Sequence, residues 1–361
     1  MHKALGLLIL LAGVAAAGAV RAADYRIEPW ADGLEQPWSL AFLPGGDALV
    51  TELRGTLRRI GADGDVGAPL ANVPAVYFAG QGGLFDVVPD PGFAENRLVY
   101  LSFAEGGPDD NGTAVARGRL GAAALDDVVT IFRNYSRKDT PVHYGGRLAF
   151  LPDGTLLLTT GDGFDYREAA QDPASGLGKV LRMTADGAPA PGNPLTAAPY
   201  VYSLGHRNPQ GLAVADDGTV WLHEHGPRGG DEVNRIEPGA NYGWPAVTHG
   251  VDYSGALISP YTEWPGMIAP AWQWTPSIAP SGLAIGSGDR FPDWRGDLFV
   301  GALVAREVRR LELESGHPVR EQAIFAEVDA RVRDVRFGPA GAIYLLLPDR
   351  IVRVLPAGTG S

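Results

Sequence analysis

One pattern recurs six times along this chain and leaves few folds open to it: an apolar run, a turn built on Pro, Asp or Gly, then a second apolar run. The copies read LAFLPGGDALVTEL from Leu40, LFDVVPDPGFAENRLVYLSF from Leu84, RLAFLPDGTLLLTTGDG from Arg147, GLAVADDGTVWLHEHG from Gly211, GLAIGSGDRFPDWRGDLFVGAL from Gly282 and VRFGPAGAIYLLL from Val335. Asp-Gly and Gly-Gly at the tips suit tight hairpin turns, which need positive φ. The copies lie roughly 45 to 70 residues apart, the length of a propeller blade of about four strands. The expected fold is therefore all-β, a six-bladed β-propeller. Tyr25 to Trp30 would add a strand to the last blade and close the ring, leaving no long sheet edge open. A β-sandwich is the rival, but a sandwich has no need of six similar inner hairpins. The 49 glycines and 29 prolines fit many short strands joined by tight turns.

The first residues read as a processing signal. Lys3 supplies a positive start, Ala4 to Val20 are small or apolar, and Val20-Arg21-Ala22 fits a cleavage site. Residues 1–22 are thus expected to be a signal peptide and 23–361 the propeller, exported to the periplasm. An uncleaved anchor is the alternative, although an apolar run of about 17 residues is short for a membrane span. Cysteine is absent, which removes disulfides, thiol nucleophiles and thiolate metal sites, so any metal must use oxygen or imidazole. A formal net charge of −12 argues against a nucleic-acid partner.

Hairpin geometry then gathers the polar motifs. Residues equally far from a turn end up side by side. In the third copy His143 lies ten residues before Asp153 and Asp162 nine after it, so the two should meet at the open end. In the fourth, Arg207 lies ten before Asp217 and Gly226 nine after it, bringing GHRNPQ (Gly205 to Gln210) beside EHGP (Glu224 to Pro227). Gln81 precedes the second hairpin, and Arg331 and Arg333 precede the sixth. Gln81, His143, Asp162, Arg207, Asn208, Arg331 and Arg333 should therefore ring one mouth of the central channel. A mouth with a His, an Asp and several Arg suits an anionic, planar ligand. Neutral imidazole can take a hydroxyl proton near pH 7, and an opposing Asp can orient it and stabilise the imidazolium.

The motifs GQGGL, HYGGRLAFLPDG, TTGDG, GHRNPQG, EHGPRGGDEVN, NYGWP, FVGAL and RVRDVRFGP resemble, in order, those of soluble quinoprotein sugar dehydrogenases, the bacterial aldose sugar dehydrogenases above all. The resemblance spans nearly the whole mature chain. It implies oxidation of aldoses at C1 to lactones, with pyrroloquinoline quinone (PQQ) and calcium as cofactors and an external electron acceptor. His143 would be the base, assisted by Asp162 and Arg207. Gln81, His143, Arg207, Asn208, Arg331 and Arg333 would bind the quinone. Backbone carbonyls of Gly226 and Pro227 would hold the active-site calcium, an ion that accepts such ligands. A second calcium is implied at Glu232, Tyr242 (backbone) and Asp252. One departure stands out: Val304 occupies the position where the family commonly carries a cofactor-binding lysine, and the nearby Arg306 would point elsewhere on a regular strand.

Other readings stay open at this stage. A calcium-dependent propeller hydrolase, such as a lactonase, would want side-chain carboxylates around its ion. A non-catalytic glycan- or protein-binding propeller would not need His143 opposite Asp162. His223 and His225 share a side of one strand, but no three-ligand zinc spacing accompanies them. Trp244, Trp264, Trp272 and Trp274 could roof a ligand or simply pack between blades. No later run approaches a membrane span, and the state could be monomer or homodimer.

Overall fold

The computed structural model describes residues 25–358; the expected signal peptide and its cleavage point lie outside the described residues. Twenty-four strands form six four-stranded antiparallel sheets arranged as a β-propeller. The inner strands are Pro37–Phe42, Leu84–Pro89, Leu148–Phe150, Pro209–Val214, Pro280–Ile285 and Asp334–Phe337, each opening one of the six repeats. Each inner strand packs beside the next around the axis, and the last packs beside the first. The ring closes as expected: Tyr25–Asp32 pairs with Arg350–Pro356 as the outermost strand of the last blade, running from Tyr25 opposite Pro356 to Asp32 opposite Arg350.

Each blade is apolar on both faces, as a sheet sandwiched between two others requires. The core is consequently a ring of inter-blade layers. One layer joins Leu49, Leu57, Leu84 and Leu101 between blades one and two. Another joins Leu40, Val50, Leu346 and Ile351 between blades one and six, across the closure.

Several inner strands break register where they leave the axial mouth: between Pro37 and Ser39, Leu84 and Val87, Pro209 and Gly211, and Ser281 and Leu283. Such irregularities bend a strand and re-aim its side chains. Here they sit at the end from which the polar motifs emerge.

Charged and polar groups meet along the axis, and every blade contributes one. Asp86 accepts from the Ser39 hydroxyl and, at 2.9 Å, from the Leu148 N–H. Arg147 is wholly buried; its Nε donates to Gln210 O at 2.8 Å, its Nη2 lies 3.3 Å from Asp334 Oδ1, and its guanidinium stacks 4.0 Å over Trp38. Arg336 Nε donates to Asp334 Oδ2 at 2.8 Å and its Nη2 lies 3.4 Å from Asp86 Oδ1. Ser281 donates to Arg333 O at 2.7 Å.

Candidate active site

The third hairpin delivers His143 and Asp162 to each other. His143 Nδ1 and Asp162 Oδ1 are 2.7 Å apart, and both side chains are buried. Local backbone makes the approach possible. A Cβ on Gly161 would stand 2.2 Å from His143 O, so only glycine fits there. His143 itself has φ +54°, a conformation disfavoured for a residue with a side chain. Its N–H donates to Gln81 Oε1 at 2.9 Å, which helps hold that conformation.

Asp162 is held on all sides. Oδ1 also accepts the Phe164 N–H at 2.8 Å, and Oδ2 accepts Trp244 Nε1–H at 2.7 Å. Burial alone would raise this carboxyl, but the bond to His143, the nearby Arg207 and the Phe164 N–H outweigh it and hold it below its ordinary value. An ionised Asp162 takes the Nδ1 proton of His143 in a hydrogen bond and leaves Nε2 as the acceptor. Burial keeps the imidazole below its usual value, opposed by Asp162 and aided by Arg207 and Lys138, so the ring is neutral at pH 7.

Arg207 and Asn208 arrive from the fourth blade. Arg207 Nη1 donates to Gly226 O at 2.7 Å and His225 O at 3.1 Å, bringing GHRNPQ beside EHGP. Its guanidinium lies 5.3 Å from the Trp244 ring and 5.9 Å from that of Tyr253. Glu224 anchors this segment, accepting from Arg207 N–H and, at 2.8 Å, pairing with His206 Nδ1. Asn208 Oδ1 accepts from Gly145 N–H at 3.3 Å.

A cavity of about 250 Å³ opens beside these groups, lined among others by Gln81, Asn208, His225, Arg331 and Arg333. Tyr144 and Gly145, which follow His143 in the chain, line its wall, whereas His143, Asp162 and Arg207 do not. Arg333 Nη1 donates to the Ser281 hydroxyl at 3.0 Å, and burial, with Arg147 and Arg331 nearby, pulls its guanidinium down to about 10. At that value the side chain is still a cation at pH 7. Above the His143 edge, Phe164 meets the imidazole at 5.1 Å and stacks on Tyr253 at 6.3 Å; both aromatics are exposed.

Two members of the expected second calcium set share a cavity. Glu232 and Tyr242 line a separate cavity of about 420 Å³, but Asp252 is not on it. Its carboxylate caps its own turn at the Ser254 N–H (2.9 Å) and lies 3.8 Å from Arg167, and the preceding Val251 bridges to Arg228. Burial, then the adjacent Glu224, pushes Glu232 well above the usual carboxylate range. Val304 is 63% exposed at the rim, and Arg306 pairs with Asp329 at 3.1 Å, so it does not replace the missing lysine in the cavity. Of the tryptophans, Trp272 and Trp274 both donate to Glu321 within the blades, and Trp264 lines the Glu232 cavity. His223 bonds Gly282 O at 2.8 Å, and among the described residues no three His, Asp or Glu side chains converge on a metal position.

Two supporting residues hold the site in roles that sequence spacing does not give. One is Trp244, a roof or a packing residue by sequence, which holds Asp162. The other is Lys138, whose buried ammonium donates to Asn111 Oδ1 (3.1 Å), Val142 O (2.9 Å) and Thr140 O, and sits 3.5 Å from the Tyr144 ring centre. It staples the segment that ends in His143. Burial pulls Lys138 down to about 7, yet its three partners are all acceptors and only the ammonium satisfies them together. Lys138→Met is expected to cost about 1–3 kcal/mol in urea unfolding by stranding those acceptors, and to slow turnover by loosening His143. Unchanged stability would contradict this.

The chain matches the family model for glucose/sorbosone dehydrogenases over residues 34–354. It is 39% identical to aldose sugar dehydrogenase YliI of Escherichia coli strain K12, over 96% of each chain. A crystal structure of a glucose dehydrogenase superposes with TM-score 0.88 at 44% identity, covering 93% of this chain and all of that one. The PQQ-bound aldose sugar dehydrogenase of Streptomyces coelicolor gives TM-score 0.77 at 34% identity, covering 92% and 99%. With the propeller, the paired His143 and Asp162 and the cation-lined cavity in view, the chain belongs to the glucose/sorbosone dehydrogenase family.

Proposed function

We propose that this protein oxidises the C1 hydroxyl of aldoses to lactones with bound PQQ and calcium, passing electrons to an external acceptor. The observation that carries the reading is a neutral imidazole, locked at Nδ1 by a buried carboxylate, one residue along the chain from the wall of a cavity lined by Arg331 and Arg333. The residues fit a planar polyanion: Arg331 and Arg333 match carboxylates, while Gln81 and Asn208 each spend the carbonyl oxygen on protein and keep the amide NH₂ as a donor. When bound, the quinone supplies the two-electron acceptor for the hydride leaving C1. Carbonyls of Gly226 and Pro227 would hold the calcium, whose charge would polarise the reacting carbonyl. Gly226 O already accepts from Arg207 and has a second lone pair to offer.

His143 Nε2 accepts the C1 hydroxyl proton. Asp162 keeps Nδ1 protonated and balances the imidazolium that results. Arg207, fixed by carbonyls on one edge, brings positive charge to the site as negative charge develops on the acceptor. Phe164 and Tyr253 form an apolar wall against which a sugar face can pack, as aromatic rings do with pyranose C–H surfaces. The Lys3-led apolar leader supports export to the periplasm. A second ion at Glu232 and the Tyr242 carbonyl would relieve the buried carboxyl, without Asp252.

The test is reconstitution. Apo-protein loaded with PQQ and calcium should reduce a dye in the presence of aldoses, and glucose alone should produce the absorbance of the reduced quinone. No cofactor binding and no dye reduction across a panel of aldoses would overturn the proposal. Hydrolysis of lactones by the cofactor-free protein would favour the hydrolase instead.

A further inference from the structure

The buried Asp162 carboxylate has one neighbour that hairpin register does not explain: Trp244, whose indole N–H reaches Oδ2 at 2.7 Å. A tryptophan side chain donates only through that group, so the bond lasts only while the ring is held in place. Two amides hold it. Gln171 closes the short helical turn Arg167–Gln171, in the same connection as Asp162. Its Nε2 donates to Trp244 O at 2.7 Å and to Asn241 Oδ1 at 3.0 Å. Asn241 Nδ2 donates back to Gln171 Oε1 at 2.7 Å, and Asn241 Oδ1 also accepts the Gly243 N–H at 2.9 Å. The reciprocal pair joins blade three to the long insertion of blade four. Trp244 N–H donates to Gly205 O at 3.0 Å, and Gly205 N–H to Ala170 O at 3.0 Å, so the turn, the start of the GHRNPQ segment and Trp244 form one bonded unit. The backbone is shaped for this approach: Gly205 has φ +79°, and a Cβ there would stand 2.3 Å from Asn241 Oδ1. The indole so placed stands between the anion and the cation of the site, bonded to Asp162 and 5.3 Å from the Arg207 guanidinium.

We propose that Gln171 and Asn241 are positioning residues for the base, a latch between blade three and the insertion that keeps the Trp244 indole N–H on Asp162. The inference rests on the reading of His143 as the base. It acts through two intermediates, Trp244 and Asp162, and its effect has a sign. The indole bond stabilises the ionised carboxylate. Without that bond Asp162 is more basic, holds the Nδ1 proton more tightly and favours the imidazolium, so His143 takes up its proton at a higher pH. The charged and titratable groups around the imidazole are Asp162, Arg207, Lys138 and His225, and the latch adds no charge to them. An amide pair kept only to tie two segments together would alter stability when cut and leave this titration where it is.

Two NMR signals of the cofactor-free protein test this, the Trp244 indole N–H and the His143 ring, each assigned by its loss in Trp244→Phe or His143→Ala. In Gln171→Met, which keeps the length of the side chain without its amide, the indole N–H should exchange with solvent about tenfold faster. The His143 titration should move up by about half a pH unit. Trp244→Phe should move it by as much or more, and the double variant no further than Trp244→Phe alone, because both act through one N–H. Asn241→Ala reads the same latch from the other side, should Gln171→Met fail to fold, and is expected to give the same shift. A His143 titration unchanged in the latch variants, at whatever stability, would overturn the inference. So would shifts of Gln171→Met and Trp244→Phe that add in the double variant, since Gln171 would then act by another route. In the loaded enzyme the acid limb of kcat/KM should move with the titration. A wild-type protein that oxidises no aldose, with the shift intact, would overturn the proposed function and leave the latch standing.

Discussion

Replacing His143 with alanine is expected to lower turnover of the reconstituted enzyme by about a thousandfold or more, within the span that a positioned general base contributes. Cofactor affinity should change little, because Arg331, Arg333 and Asn208 reach the cavity from other blades. The geometry also gives the pH dependence a sign. The base works as neutral imidazole, and burial, with Arg207 and Lys138, keeps His143 below the ordinary value of 6.5 against the pull of Asp162. Protonation on acidification therefore comes late, and the acid limb of kcat/KM should fall below pH 6.5. Asp162→Asn should act on the same proton. It removes the charge that balances the imidazolium and lets Nδ1 lose its fixed proton, at a cost of about a hundredfold to ten-thousandfold. Turnover of His143→Ala within tenfold of wild type would remove this residue from the base role.

Why the His143–Asp162 pair could be read in advance, and its supports could not, follows from chain distance. The pair is 19 residues apart across one hairpin, where register is set by a local turn and the alternation of strands. Arg207 against Gly226 obeys the same rule at a separation of 19. Trp244 reaches Asp162 from 82 residues away, out of a long insertion with no periodic pattern to place it. The same insertion holds Asp252: no pattern in residues 246–271 announces the Arg228–Val251 bridge or the turn that the Asp252 carboxylate caps. Lys138 belongs to no motif, and only the folded loop wraps Thr140 and Val142 around its ammonium. Blade number and ring closure were legible because six copies of one hairpin and an extra N-terminal strand have few other ways to bury both faces.

The axial plug is the largest feature that only the closed ring creates, and it yields the largest expected change in stability. Asp334 is fully buried between two guanidinium groups, with Arg336 Nε at 2.8 Å and Arg147 Nη2 at 3.3 Å. Asp86, the other carboxylate, lies 3.4 Å from Arg336 and 3.9 Å from Arg147. Two cations thus face two anions; Arg147, Asp86 and Asp334 are fully buried, and Arg336 is 23% exposed. Asp334→Ala leaves the buried Arg147 and the half-buried Arg336 sharing one carboxylate, and breaking one side of a buried pair costs about 3–5 kcal/mol. The expected result is a large drop in the urea midpoint of the apo-protein with an unchanged slope. Asp334→Asn, which keeps acceptor and shape but not charge, should fall between. If the penalty is the stranded charge, pairing Asp334→Leu with Arg336→Met should restore much of the loss, since well-packed apolar groups often replace a buried ion pair at little cost. If the double variant is as unstable as Asp334→Ala alone, the cost lies in packing at the axis, and the plug does not owe its strength to charge.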